Sequence, residues 1–243
     1  MIQAIRALLQ FTTVLPLGKT APFDAFARNT WLYPLSGYIT GGIGSVVILL
    51  IPAPPLILAV LATGIIFFIS GANHLDGLFD LGDGLMAHGS RERRIRALTD
   101  RQMGTGAIAL GTIITLLTIV SLSSFHQAMI AASALVFAEV GGKWGMAMLT
   151  AYGRPFHEGL HSALYKNTKK WHIIPATLLL IPALMLPLPA QAKIAACAAF
   201  VFVSFFMRYM AYRLFGGVNG DITGATGEIN RCAVLTVLAI ILV

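Results

Sequence analysis

Charge is scarce in this chain. Only 11% of its 243 residues are Asp, Glu, Lys or Arg, and only ten are acidic. With 57% hydrophobic residues and a mean hydropathy of +0.79, that scarcity excludes an ordinary soluble domain and indicates several membrane crossings. Cysteine is nearly absent. Cys197 and Cys232 both lie in apolar runs, which leaves no disulfide framework and no zinc-type cluster. The first residues lack a signal-peptide core, because Gln3, Arg6 and Gln10 interrupt it. The formal charge of +7 needs no nucleic acid to explain it, since Lys and Arg gather in the cytoplasmic loops of membrane proteins.

What is present is a series of apolar runs. Residues 2–13 place Ile2, Ile5, Leu9 and Thr12 on one face, predicting a short amphipathic helix on the membrane surface that ends before Pro16. Crossings are predicted at about 31–51, 56–74, 106–122, 128–150, 172–188 and 194–214. The second is expected to run straight on into the polar segment that follows it. A last run, 233–243, is short for the ~20 residues a full crossing needs. The expected fold is all-α, a single transmembrane helical domain over 1–243 with about six or seven spans. Glycines 37, 41, 42 and 44 in the first run let a neighbouring backbone approach closely. Lys193 apart, the basic residues fall on or towards one side, and the positive-inside rule makes that side cytoplasmic.

Half of the ten acids fall in two segments on that side. In the first, Asn73 to Gly84, Asp76, Asp80 and Asp83 stand at i, i+4 and i+7. On a helix they lie within about 60° of one another, and Asn73 widens the arc to roughly 80°. No Lys or Arg lies between Arg28 and Arg91 to neutralise them. Three like charges beside a membrane segment repel unless a cation lies among them, and a hard divalent ion fits oxygen ligands. The alternative is a helix end exposed to water. The second segment, Gly216 to Glu228, holds five glycines with Asp221 and Glu228 seven apart, and so on one face if helical. A flexible linker is the alternative there.

Other constellations carry less. Asp100 opens a loop in which Gly104 and Gly106 can flank a phosphate at a helix N-terminus, or simply turn the chain. Arg91, Arg93 and Arg94 suit lipid headgroups, whereas Arg96 and Arg101 lie nearer the glycines and suit substrate. Glu139 and Lys143, i and i+4 inside an apolar run, are expected to pair with each other, with Lys143 also a substrate candidate. His74 points away from Asp76 on an ideal helix. His157, Glu158 and His161 are read as solvated or as part of a lid. Carboxylate-held divalent ions beside basic residues point to phosphoryl transfer.

The segment His74-Leu-Asp-Gly-Leu-Phe-Asp-Leu-Gly-Asp-Gly84 resembles the HLDGLADxxDG signature of the cobalamin synthase family, the adenosylcobinamide-GDP ribazoletransferases. Further likenesses follow in order: Thr13 to Pro16 to T-x-LP, Asp100 to Gly104 to D-x-x-x-G, Glu158 to Leu160 to EGL, and Gly220 to Glu228 to GDxxGAxxE. Phe79, Leu81, Arg101, His161 and Asn219 depart from the usual pattern without removing a carboxylate. The resemblance implies that the hydroxyl of α-ribazole or its 5′-phosphate attacks adenosylcobinamide-GDP with release of GMP, requiring Mg²⁺. It implies a metal set of Asp76, Asp80, Asp83, Asp221 and Glu228. It further implies substrate contacts at Asp100, Gly220 and Gly224, to which the residue pattern adds Asn73, Arg101, Gly104 and Lys143 as candidates. Asp80, Asp83 or His74 would serve in catalysis. Expected partners are corrinoid and nucleoside substrates and membrane lipid, without nucleic acid. Other cobalamin-biosynthesis enzymes and a second copy of the chain stay open. The expected location is the cell membrane, with the site facing the cytoplasm.

Two other readings compete. A CDP-alcohol phosphotransferase also clusters aspartates, as D-x-x-D-G-x-x-A-R, but here no aspartate precedes Asp76-Gly77 at the right spacing and no Ala-Arg follows. A divalent-cation channel or transporter would use similar carboxylates, yet these lie at one membrane face and not near the midplane.

Overall fold

A computed structural model describes residues 1–243, which form helices and no strand; one isolated bridge joins Pro155 to Val218. The elements in chain order are α1 (Ile2–Thr12), α2 (Phe23–Ala27), α3 (Tyr33–Leu50), α4 (Pro55–Ile69) and α5 (Asn73–Met86). Then come α6 (Arg91–Leu98), α7 (Thr105–Ser123), α8 (Ala128–Tyr152) and α9 (Leu160–Asn167). The last are α10 (Ile173–Leu178), α11 (Ile181–Leu184), α12 (Ala190–Leu214) and α13 (Gly220–Leu242).

Helix α8 is the centre of the bundle. Nearly every residue from Ala131 to Ala151 is buried, because α3, α12 and α13 pack around it. The glycine stripe of α3 makes its closest approach. A methyl group at Gly37 would lie 2.8 Å from the Glu139 carbonyl oxygen, and one at Gly41 would lie 2.9 Å from Val136 Cα. Small residues at such a crossing let backbones touch where lipid offers no hydrophobic drive. The N-terminal helix is amphipathic as expected: Ala4, Ala7, Leu8 and Thr12 are buried, while Ile2 is left exposed.

Four helices are long and apolar enough to cross a membrane: Thr30–Leu50, Thr105–Ser123, Ala190–Leu214 and Gly220–Leu242, with a fifth if α4 and α5 count as one broken span. The expected six or seven is therefore too high, for two reasons. Residues 172–188 are not one span but the short pieces α10 and α11, whose apolar stretch Lys170–Leu184 is too short to cross. Pro175 and Pro182 lack the N–H that would continue the ladder. The Tyr38 hydroxyl fills the break, donating to the Leu179 carbonyl at 2.7 Å and accepting from Ala183 N–H at 2.9 Å. Helix α8 is long enough to cross, but with Glu139 and Lys143 at its centre it is not apolar enough to count among the four.

Two other expectations change. Helix α4 does not run straight into α5: the two axes are bent by 95°. Gly71 (φ 63°) and Ala72 (φ 56°) both adopt left-handed backbone at the break, and Ala72 is the only non-glycine residue to do so. The final apolar run is not a separate short segment. It continues α13, whose first turns are the glycine-rich motif.

Candidate active site

The bend sends α5 across the ends of other helices instead of along them. Gly77 lies against the first turn of α13, where a methyl group would come within 2.6 Å of the Asp221 carbonyl oxygen. Gly82 lies equally close to Gly106 at the start of α7. One aspartate-bearing helix thus bridges two helix N-termini at one end of the bundle. Asn219 begins α13 by accepting from Ile222 N–H at 3.0 Å, and its amide donates to Asp221 Oδ2 at 2.6 Å.

Between α5, α13 and α9 lies a cavity of about 290 Å³, walled by Asn73, His74 and Asp76 on one side and Gly220, Asp221, Thr223 and Gly224 on the other. Leu160, His161 and Leu164 of α9 close it further. The four ion pairs of the protein involve none of Asp76, Asp80 or Asp221. The consequence shows at Asp80. Burial first, then the charges of Asp221, Asp76 and Asp83, push its carboxyl up to about 7. No three His, Cys, Asp or Glu side chains converge tightly enough to hold an ion unaided. That arrangement still fits Mg²⁺, which takes one or two carboxylates and fills its remaining positions with water and substrate phosphate.

Asp83 is placed differently from the expectation. Both of its oxygens are engaged on the N-terminus of α7, Oδ2 accepting from Gly104 N–H at 2.7 Å and Oδ1 from Ala107 N–H at 2.8 Å. It therefore caps a helix, and the Gly104 N–H assigned to a phosphate is already used. Asp100 accepts from Gln102 N–H at 3.1 Å within its own turn. It lines a second, open hollow of about 390 Å³ with Asp83, Gly104 and Thr105, while Arg101 stays exposed.

Glu228 does not join the aspartates either. Seven residues of helix carry it about 10 Å deeper than Asp221, where it pairs with Arg231. Arg231 also holds Glu139 at 2.9 Å, and Thr40 donates to the same Glu139 carboxylate at 2.5 Å. All of these side chains are buried. The expected Glu139–Lys143 pair gives way to this cluster, and Lys143 Nζ instead meets His74 Nδ1 at 3.1 Å. Arg231 is not among the residues expected at the site, although its i+3 spacing from Glu228 in an apolar stretch is the signal that points to it.

Of the two readings for His161, the solvated one fails. It is buried, with Nε2 2.8 Å from the Gly153 carbonyl and Nδ1 3.2 Å from the Thr223 hydroxyl, tying α9 to the first turn of α13. Burial lowers its pKa, against the raising effect of the Gly153 carbonyl. Glu158 stays exposed, bonded to Lys166 and Ser162.

The Cobalamin-5-phosphate synthase family model matches residues 4–239. The chain belongs to this family. Members of this cobalamin-5-phosphate synthase family are enzymes of cobalamin synthesis, and relatives named adenosylcobinamide-GDP ribazoletransferase align along nearly the whole chain. That of Halorubrum lacusprofundi is 34% identical over 96% of this chain and 95% of its own length. That of Methanococcoides burtonii is 32% identical over 98% and 92%, and that of Thermococcus kodakarensis 30% identical over 98% of each. No solved structure matches the chain. Family membership favours the first of the three readings over the CDP-alcohol phosphotransferase and the cation transporter.

Proposed function

We propose that this chain joins α-ribazole, or its 5′-phosphate, to adenosylcobinamide-GDP with release of GMP, in a Mg²⁺-dependent reaction at the cavity between α5 and α13. The observation that carries the reading is that Asp76 and Asp221 line one cavity, close enough to Asp80 to act on its charge, and none of the three has an ion-pair partner. Asp76 and Asp221 would hold Mg²⁺. When bound, the ion neutralises diphosphate oxygens and stabilises the charge of the departing phosphate.

The rest falls to the chain's own groups. Asp80, one turn from Asp76, is the residue that takes the proton of the attacking ribazole hydroxyl. A base with a pKa near 7 suits that task, and burial, the larger cause of its shift, persists once its neighbours are balanced. Asn73 and the first turn of α13 at Gly220 and Gly224 border the diphosphate, and α9 with His161 shields it from water. Asp83 shapes the site by fixing α7 to α5. The bias of basic residues puts this end of the bundle in the cytoplasm.

The test uses purified protein in lipid with Mg²⁺, adenosylcobinamide-GDP and α-ribazole. GMP is expected only when ribazole is present. GMP release that is indifferent to ribazole, or absent with both substrates and Mg²⁺, rules the reading out.

A further inference from the structure

Lys143 of α8 and His74 at the start of α5 are both buried, 5% and 7% exposed. Their contact at 3.1 Å joins the aspartate-bearing helix to the centre of the bundle. Its direction follows from charge. Glu139 and Glu228 are buried with a single guanidinium, Arg231, between them. A charged Lys143 makes that group neutral, and an unbalanced charge is costly inside a membrane bundle. An ammonium has three N–H donors and no acceptor, so it must donate to Nδ1. The neutral ring then carries its one proton on Nε2. Nε2 makes no hydrogen bond within the protein, and it is not among the fully enclosed orphan atoms. The His74 ring is part of the wall shared by Asp76 and Asp221.

We propose that Lys143 is a positioning residue that locks His74 as the Nε2–H tautomer, so that His74 donates this N–H to an anionic phosphate oxygen in the cavity. The proposal rests on the phosphoryl-transfer reading for its substrate, but not for its tautomer. It removes His74 from the role of general base, because its one basic nitrogen is covered by the ammonium. It also takes Lys143 out of direct substrate contact: its ammonium reaches the substrate only through the imidazole. Donors held in place before negative charge develops commonly contribute about 10²–10³ in rate.

The experiment has a substrate-free arm and a kinetic arm. Protein labelled with ¹⁵N-histidine is examined in lipid, with His74→Gln used to assign the ring signals of His74. A neutral Nε2–H ring is expected in the unsubstituted protein, and loss of that single form in Lys143→Met. An Nδ1–H or doubly protonated ring, or a Lys143→Met spectrum unchanged at His74, overturns the proposal. If Lys143→Met does not fold, the unsubstituted spectrum decides. In the kinetic arm, His74→Ala should lower kcat for GMP release about 100-fold. His74→Gln, which keeps an N–H donor, should recover about tenfold of that loss. Equal losses in both variants overturn the donor role. Because the spectrum needs no substrate, failure of the transferase reading and failure of this proposal give different results.

Discussion

Replacing Gly77 with alanine tests whether the α5–α13 contact sets the geometry of the site. The added methyl would lie 2.6 Å from the Asp221 carbonyl oxygen and 2.8 Å from its Cα. Both atoms are backbone, so no side chain can swing aside. Ordinary contact begins near 3.4 Å, so α5 and α13 must separate by about 0.8 Å. That displacement moves Asp76 and Asp80 away from Asp221, across the cavity that Asp76 and Asp221 border. A misplacement of about 1 Å at a reacting centre costs roughly 100-fold in rate, while the overpacking itself destabilises by about 1–3 kcal/mol. Gly64→Ala is the control. Nothing lies within 4 Å of that position, and it is helical, so alanine there should be neutral or slightly stabilising. The assay is kcat for GMP release, with melting temperature measured in the same detergent. Gly77→Ala with kcat within threefold of the unsubstituted protein would refute the reasoning, because the close approach could not then govern the chemistry.

Three further outcomes follow from the same structure. Arg231→Met removes the partner of both Glu139 and Glu228 and should destabilise by about 3–5 kcal/mol; an unchanged melting temperature would show that the cluster contributes nothing. Asp83→Ala strips two N–H partners from α7 and should lower stability by about 1–2 kcal/mol together with activity. Asp76→Asn should lower activity alone, so equal melting temperatures for these two variants would contradict the capping role. Finally, the Asp80 carboxyl, raised from 3.8 to about 7, holds a proton in the folded metal-free protein that the unfolded chain has already released. Its contribution to stability is present below about pH 4 and is lost as pH rises through about 7. Melting temperatures at pH 5 and pH 8 should show the fall, Asp80→Asn should flatten it, and Mg²⁺ should offset it. A fall that persists in Asp80→Asn assigns it to another group.

Local period decided how much of the site could be read in advance. Asp76, Asp80 and Asp83 share a face because helical spacing puts them there, and the expectation of helix held for all three. Which of them stays free was not readable. Asp83 is capped by N–H groups 21 and 24 residues further on, and nothing near it in the chain announces their arrival. Glu139 and Lys143 look like a pair because they are four apart. Arg231, 92 residues away, displaces that pairing because its guanidinium can serve two carboxylates at once. The residues from Gly216 to Glu228 can be read from spacing either as helix or as flexible linker. In the fold Gly220, Gly224 and Gly227 are helical while Gly216 and Gly217 turn the chain, and two of the helical ones make room for neighbours: Gly224 for His74, Gly227 for Met146.

The amino-acid sequence by itself determined the all-α membrane class, the family, and the faces on which the carboxylates stand. These depend on composition and on residues within two turns of one another. Tertiary structure alone decided that α5 turns by 95°, that Asp76 and Asp221 border one cavity, and that Asp83 and Glu228 find their partners elsewhere. The reason is physical. A helix specifies direction along its own axis, but a buried charge takes whichever partner the packing of distant helices delivers.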